Sequence, residues 1–272
     1  MAPASETSGR IDVGRADVYE REIVPRFKRW AEHLVDVAAP HPAAHVLDVA
    51  CGTGLAARIA ASRLGVNGRV VAIDAGEAML EVARAVPDLN NPPIEWRLGD
   101  AEALPSTDAT FDLVLCNEGL QFFAQPMRAL EEMRRVLRPN GRLALAIWRP
   151  IQHQQGLERL VDVLEQHLTP HAADLRGMSG RWERTDLRNL VASVGFADVH
   201  IRIDPGSVRW PSVDACLSTT LGGSPLASAF DDLSTEARVA LVRQLEKQAG
   251  DDYIDDDGVI VPFEAYVLSA RR

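Results

Sequence analysis

The segment that most constrains this chain is a short apolar run that leads through two glycines into a helical pattern. The run covers residues 45–49, the glycines are Gly52 and Gly54, and an alanine-rich stretch at 55–61 follows. A short hydrophobic run is typical of a buried strand, and glycine lets the backbone approach a ligand because it has no Cβ. Strand, glycine turn and helix in this order predict an open α/β sheet with a nucleotide-like ligand at the turn.

Two kinds of ligand fit this turn. The pattern Gly52-x-Gly54-x-x-Ala57, with Asp74 twenty residues after Gly54, matches a dinucleotide site. Asp48 argues against a dinucleotide, because a carboxylate at the strand end repels a pyrophosphate and attracts a cation. S-adenosylmethionine (SAM) carries an ammonium and a sulfonium and offers a ribose to Asp74. Asp48 also suits a helix cap or a turn, so this position alone leaves the choice open.

Several segments in register carry a family resemblance. They are Val46-Leu-Asp-Val-Ala-Cys-Gly-Thr-Gly54, Val70-Val-Ala-Ile-Asp74, Gly99-Asp-Ala-Glu-Ala-Leu-Pro105, Phe111-Asp-Leu-Val-Leu-Cys-Asn117 and Leu137-Arg-Pro-Asn-Gly-Arg-Leu143. Over residues 45–148 the chain resembles the class I SAM-dependent methyltransferases, and among them the small-molecule group similar to ubiquinone/menaquinone-biosynthesis enzymes. The resemblance implies SAM as cofactor. It also implies an α/β, Rossmann-like fold: a seven-stranded, mostly parallel sheet with helices on both faces and a helical cap insertion.

The predicted ribose and adenine contacts follow the second and third strands. Asp74 ends the second strand, where a carboxylate can accept hydrogen bonds from both ribose hydroxyls. The resemblance implies that Ala75 and Met79 pack on the adenine. It also implies that Asp100 accepts from the adenine amino group and that the Ala101 backbone N–H meets the ring. Taken alone, Asp74 also suits an N-cap and Asp100 a turn.

The predicted contacts to the methionine part follow the first and fourth strands. Asn117, at the carboxyl edge of the fourth strand, is expected to meet the ammonium, and Gln121 to lie near the transferred methyl. Ala50 stands where many family members have glycine, a departure beside the cofactor tail. In the N-terminal segment, Tyr19 corresponds to the family's aromatic residue against the cofactor. Glu118 is interpreted as a solvated loop acid rather than a substrate ligand.

Hydrophobic spacing divides the chain into four predicted parts. These are an N-terminal helical lid at 1–40, a SAM-binding core at 41–149, a helical cap insertion at 150–184, and a C-terminal part of the α/β core with added helices at 185–272. Residues 14–38 have helical spacing interrupted by Pro25, so one bent helix or two joined helices are expected. Strands after the first are predicted at 69–74, 94–98, 111–116, 143–148, 199–203 and 263–270.

Composition and charge exclude several classes of protein. The formal net charge is −10 and no long basic run occurs, so a nucleic-acid partner lacks its electrostatic footprint. The three cysteines show neither metal spacing nor a disulfide framework, and no metal is predicted. Without an apolar stretch long enough to span a membrane or a signal-peptide pattern, a cytoplasmic location is expected. Residues 1–12 are predicted to be disordered, and the acidic run 250–258 to be a surface loop.

The sequence therefore predicts SAM-dependent methyl transfer to an O or C nucleophile of a small organic molecule, the methyl acceptor. Because a sulfonium is already activated, the protein mainly holds the nucleophile in line, and a base is needed only if the acceptor keeps its proton. His153, which follows the fifth strand, is the candidate base, although a surface histidine fits its position equally. An NAD(P)-dependent oxidoreductase and a SAM-binding protein without transferase activity are the alternatives. The oligomeric state is left open.

Overall fold

The computed structural model describes residues 12–87, 92–167, 176, 179–222, 230–249 and 253–272. The predicted disorder of residues 1–12 falls almost entirely outside the described residues, as do positions 250–252 of the acidic run.

One sheet forms the centre of the molecule. Its strands are β1 His45–Val49, β2 Arg69–Asp74, β3 Ile94–Leu98, β4 Phe111–Asn117, β5 Leu137–Trp148, β6 Ala197–Trp210, β7 Ile254–Asp255 and β8 Gly258–Arg271. They lie in the order β3-β2-β1-β4-β5-β8-β6, with β7 paired to β8. Strands β1 to β5 are parallel, and β8 runs antiparallel to its neighbours. The predicted Rossmann-like, mostly parallel sheet is confirmed.

Strands β6 and β8 are much longer than predicted. Trp148, the last residue of β5, pairs with Ala265, yet β6 and β8 remain paired with each other as far as Trp210 and Val259. The sequence pattern breaks at Pro205 and Gly206, which read as strand terminators. The two-stranded ribbon nevertheless continues through them, so it projects beyond the carboxyl edge of the parallel strands.

The helices follow the predicted pattern closely. They are α1 Val13–Val18, α2 Val24–Ala38, α3 Leu55–Arg63, α4 Glu77–Ala85, α5 Pro126–Val136, α6 Gln155–His167, α7 Arg184–Ser193, α8 Val213–Gly222 and α9 Thr235–Ala249. A π-helical turn, Tyr19–Ile23, joins α1 to α2. Pro25 lies in the first turn of α2, where its missing N–H costs no intrahelical bond, so it begins this helix rather than bending it. We call residues 13–38 the N-terminal segment.

Helices cover both faces of the sheet. Leu34, Ala60 and Leu80, from α2, α3 and α4, pack on one face, and Met133 and Val191, from α5 and α7, pack on the other. A third core joins α6, α8 and α9 to the projecting ribbon. The helices after β5 and those after β6 therefore share one cap, and the predicted four-part division of the chain stays a prediction. Within the described ranges, no helix is long and apolar enough to cross a membrane.

Candidate functional site

The turn after β1 holds its backbone in the left-handed region. Its φ angles are 56° at Ala50, 55° at Gly52 and 93° at Gly54. A Cβ on Gly54 would stand 2.2 Å from Cη2 of the Trp96 indole, whereas a Cβ on Gly52 would meet open space. Glycine at position 54 is therefore required by conformation and by packing. Gly52 borders the crevice, the space between this turn, Asp74 and residues 117–121.

Asp74 joins the end of β2 to the glycine turn. Its Oδ2 accepts from the Gly52 N–H at 2.7 Å, and its Oδ1 accepts from the Gly76 N–H at 2.8 Å. Burial raises the pKa of Asp74, and these backbone hydrogen bonds oppose that effect. Each carboxylate oxygen can accept more than one hydrogen bond, so both retain capacity for the hydroxyls of a ribose.

Asp48 is a buried carboxylate and lies in β1, directly before the glycine turn. Its side chain is fully buried, and among the described residues neither oxygen accepts a hydrogen bond of normal geometry, although the backbone N–H of Ala57 and the charge of Arg58 lie close enough to lower its pKa. Burial raises the pKa of Asp48 to about 8, and the charge of Asp74 acts in the same direction. An unpaired buried charge is expensive, so this site favours either a proton on Asp48 or a cation beside it.

The loop after β4 forms the facing wall of the crevice. Glu118 has a φ of 55°, and its Oε2 accepts from the Trp148 backbone N–H at 2.7 Å and from Gln121 Nε2 at 3.2 Å. Burial raises the pKa of Glu118 to about 8. The interpretation of Glu118 as a solvated loop acid is wrong, because its Oε1 is buried and its Oε2 is bonded to other residues of the protein. A sequence pattern does not reveal the sign of φ at a non-glycine residue.

Tyr19 reaches the crevice from the N-terminal segment. Burial raises the pKa of Tyr19 to about 12, and the charges of Glu118, Asp74 and Glu20 add to the effect. The carboxylates of Asp74 and Glu118, on the two walls of the crevice, therefore both act on the Tyr19 hydroxyl group. The structure brings Tyr19 together with the ends of β2 and β4, which lie far from it in sequence.

An ion pair fastens the N-terminal segment to α3. Glu20 Oε1 lies 2.8 Å from Arg58 Nη2, and both side chains are largely buried. Arg58 Nη1 also donates to the Thr53 carbonyl at 2.6 Å. This pair could not be predicted from the sequence, because no local pattern connects residues 38 positions apart.

The remaining predicted adenine contacts lie along the carboxyl ends of β2 and β3. Ala75 is exposed, Met79 is half-buried at the start of α4, and Ala101 is buried. Asp100 is exposed, and its Oδ1 accepts from the Glu102 N–H at 2.8 Å, as in an Asx turn. The Gly99 N–H donates to the Asp74 carbonyl at 2.9 Å, which places the two strand ends side by side. The adenine role of these residues stays a prediction.

His153 belongs to a different group of side chains beyond β5. Its Nε2 lies 2.9 Å from Glu183 Oε1, and the Tyr266 hydroxyl donates to Glu183 Oε2 at 3.4 Å. This contact with His153 is the main cause of the lowered pKa of Glu183. The imidazole is therefore engaged by a carboxylate that is not part of the crevice, and its role as a base stays a prediction.

Buried polar atoms without partners concentrate at the crevice. Among the described residues, these atoms are Glu20 Oε2, Asp48 Oδ1 and Oδ2, Thr53 Oγ1, Asn117 Oδ1, Glu118 Oε1 and Gln121 Oε1. Those of Asp48 and Asn117 are acceptors, so they fit a cationic ligand that brings N–H and O–H donors. The ammonium and ribose of SAM supply such donors. A pyrophosphate instead brings further acceptors and negative charge.

Comparison with known proteins places this site in context. Residues 47–145 match the family model described as a methyltransferase domain. A ubiquinone/menaquinone biosynthesis C-methyltransferase of Roseobacter denitrificans is 31% identical over 167 residues, which cover 61% of this chain and 64% of that protein. The chain spans about half the length of the curated relatives it matches.

Two solved structures share the fold. A Bacillus halodurans protein with a provisional methyltransferase assignment superposes with a TM-score of 0.62 at 23% identity, over 89% of this chain and 97% of its own. Haemonchus contortus phosphoethanolamine N-methyltransferase 2, in complex with SAM, gives a TM-score of 0.59 at 16% identity, over 96% and 57%. The family resemblance and SAM as cofactor are confirmed, whereas the oxidoreductase alternative gains no support.

Proposed function

We propose that this chain, which carries a SAM-dependent methyltransferase domain at residues 47–145, methylates an O or C nucleophile of a small aromatic molecule. The set of buried, unpartnered acceptors around Asp48 carries the proposal. A ligand without N–H or O–H donors would leave these atoms unsatisfied, whereas a cationic ligand rich in donors would satisfy them and also balance the charge of Asp48.

The proposed cofactor contacts follow from the two walls of the crevice. Asp48 and Asn117 accept from the ammonium, and Asp74 accepts from the ribose hydroxyls. When bound, SAM would supply an electrophilic methyl group, because the S–C bond of a sulfonium breaks with release of a neutral thioether, S-adenosylhomocysteine. The task of the protein is then to hold the acceptor and its proton in the correct place.

An aromatic cluster supports an aromatic acceptor, such as a quinol. The rings of Phe27, Trp30, Trp148 and Phe263 pack with centroids 5.2 to 6.2 Å apart. Phe27 and Trp148 are only half-buried, so part of each residue stays accessible to solvent. The backbone N–H of Trp148 donates to Glu118, so one residue of the cluster is bonded directly to the loop that forms a wall of the crevice. Offset or edge-to-face packing on such rings favours a flat aromatic substrate.

Calorimetry with SAM and a turnover assay test the proposed function. We expect SAM to bind and to be converted to S-adenosylhomocysteine in the presence of a small hydroquinone. No binding at millimolar SAM would end the proposal. Binding without turnover across a panel of hydroquinones, phenols and enols would favour the alternative of a SAM-binding protein without transferase activity.

We also propose a cytoplasmic location. Cys51, Cys116 and Cys216 are free and buried, as expected for a protein from a reducing compartment. Fractionation of the native host, with the protein detected in the membrane or secreted fraction, would contradict this location.

A further inference from the structure

We propose that Glu118 is the general base of this site, and that its Oε1 takes the proton from the hydroxyl group of the acceptor. The inference rests on the proposed methyltransferase function. In this step the O–H bond of the acceptor breaks and its electron pair stays on oxygen. For O-methylation this oxygen is the nucleophile, and for C-methylation it donates electron density to the ring carbon of the acceptor that attacks the methyl group. The proton forms a new bond to Glu118 Oε1.

The position of Glu118 separates it from the cofactor-binding acids. Asp48 and Asp74 belong to β1 and β2, on either side of the glycine turn. Glu118 follows β4, and its Oε2 is held 2.7 Å from the backbone nitrogen of Trp148, at the end of β5. Its carboxylate therefore lies at the carboxyl ends of β4 and β5, next to the backbone of Trp148, whose ring belongs to the aromatic cluster.

The carboxylate is also fixed and ready to accept a proton. Two donors, the Trp148 N–H and Gln121 Nε2, hold Oε2, while Oε1 is buried and has no partner within the described ranges. The φ of 55° at Glu118 is unusual for a bulky residue. Such backbone strain persists where the surrounding structure enforces it, and it is concentrated at functional sites.

The protonation equilibrium of Glu118 suits this role. Burial raises its pKa to about 8, close to working pH, where a base combines a useful ionised fraction with proton affinity. The titratable groups that face it are Tyr19 from the N-terminal segment and Cys116 from β4. Burial raises the pKa of each of these groups, so both stay protonated near pH 8. They can donate hydrogen bonds but cannot act as the base.

The test compares Glu118→Gln with a matched control, Glu246→Gln. Glutamine keeps the size and the hydrogen-bonding oxygen of Glu118 but cannot take a proton, and Glu246 is an exposed residue of α9. Calorimetry measures SAM affinity, and infrared titration follows the protonated-carboxyl band. Turnover is measured with naphthohydroquinone, which must lose a proton, and with para-nitrophenol at about pH 9, where the phenol is already ionised.

We expect Glu118→Gln to bind SAM within about threefold of wild type and to lose one of the two carboxyl signals that titrate near pH 8, the other being that of Asp48. Turnover of naphthohydroquinone should fall by about a hundredfold or more, while turnover of para-nitrophenol should stay within about threefold. The control should match wild type in every measurement. Equal losses for both acceptors, or an unchanged carboxyl titration, would overturn the assignment of Glu118.

The two proposals fail in distinguishable ways. If wild type binds SAM and turns over naphthohydroquinone, and Glu118→Gln does so equally well, Glu118 is not the base and the proposed function stands. If wild type does not bind SAM, the proposed function fails, and the base assignment that rests on it fails with it.

Discussion

The methyl group of Ala50 packs against the Cα of Gly119. A Cβ built on Gly119 would lie 2.7 Å from Ala50 Cβ and 2.8 Å from Cys116 Sγ, both too close for real atoms. The alanine at position 50, where many family members have glycine, is therefore accommodated by a glycine on the facing loop. The pair fixes the spacing between the turn after β1 and the loop after β4, which are the two walls of the crevice.

We predict that Gly119→Ala destabilises the protein by about 1–3 kcal/mol through overpacking. Ala50→Gly relieves the crowding from one side, and the double variant should recover part of the loss. Urea denaturation of the four proteins gives the coupling free energy. Additive effects of the two substitutions would show that the two residues do not share this space.

The affinity for SAM should rise with pH and level off above about pH 8. Without a ligand Asp48 is largely protonated below that pH, whereas a cation beside it favours the charged form, so binding releases a proton. Calorimetry in buffers of different ionisation enthalpy measures the proton release. Asp48→Asn should weaken binding by at least about tenfold and remove most of the pH dependence, whereas Asp36→Asn, at an exposed position of α2, should change neither. A pH-independent affinity in wild type would contradict the role of Asp48.

The free energy of unfolding of the ligand-free protein should carry the opposite pH dependence. Burial raises the pKa values of Asp48 and Glu118 from about 4 in the unfolded chain to about 8 in the folded protein. The folded state therefore binds more protons, and this contribution to stability is full below about pH 4 and is lost as the pH rises through 8. The double variant Asp48→Asn, Glu118→Gln should lose less stability than wild type between about pH 5 and 8 in urea titrations. Parallel curves for the two proteins would show that neither carboxyl titrates as described.

We predict that Asp74→Ala weakens SAM binding by at least about tenfold while the fold stays intact. The substitution removes the proposed ribose acceptor and the hydrogen bond that holds the Gly52 N–H. Calorimetry gives the affinity, circular dichroism checks the fold, and Asp36→Ala serves as the surface control. An affinity equal to wild type would remove Asp74 from the site.

Much of the cofactor half was predictable because its signals are local. The strands β1 to β4 and the glycine turn depend on short hydrophobic runs and on residues that tolerate a positive φ. Asp74 was placed correctly at the end of β2, because an acid directly after a buried strand must lie at the edge of the sheet.

The acceptor half was less predictable because its features depend on contacts between distant residues. The burial of Glu118 depends on the sign of its φ angle and on the Trp148 N–H, 30 positions away. The continuation of β6 through Pro205 depends on pairing with β8. Neither feature produces a periodic hydrophobic pattern in the sequence.

The projecting ribbon of β6 and β8 limits which part of the protein can move to admit small molecules to the crevice. The β6–β8 pairing continues without a break from Ala265, which pairs with β5, to Val259, against which the cap helices pack. The cap is therefore connected to the central sheet by a continuous hydrogen-bonded ladder. A hinge between them would have to break that ladder. Residues 13–23, which precede α2, are instead joined to α3 by the Glu20–Arg58 ion pair described above, whereas α2 itself is held to β6 by the contacts of Arg29 and His33 with Asp204. We therefore expect small molecules to enter and leave beneath Tyr19 when residues 13–23 move, while α2 and the cap stay fixed to the sheet.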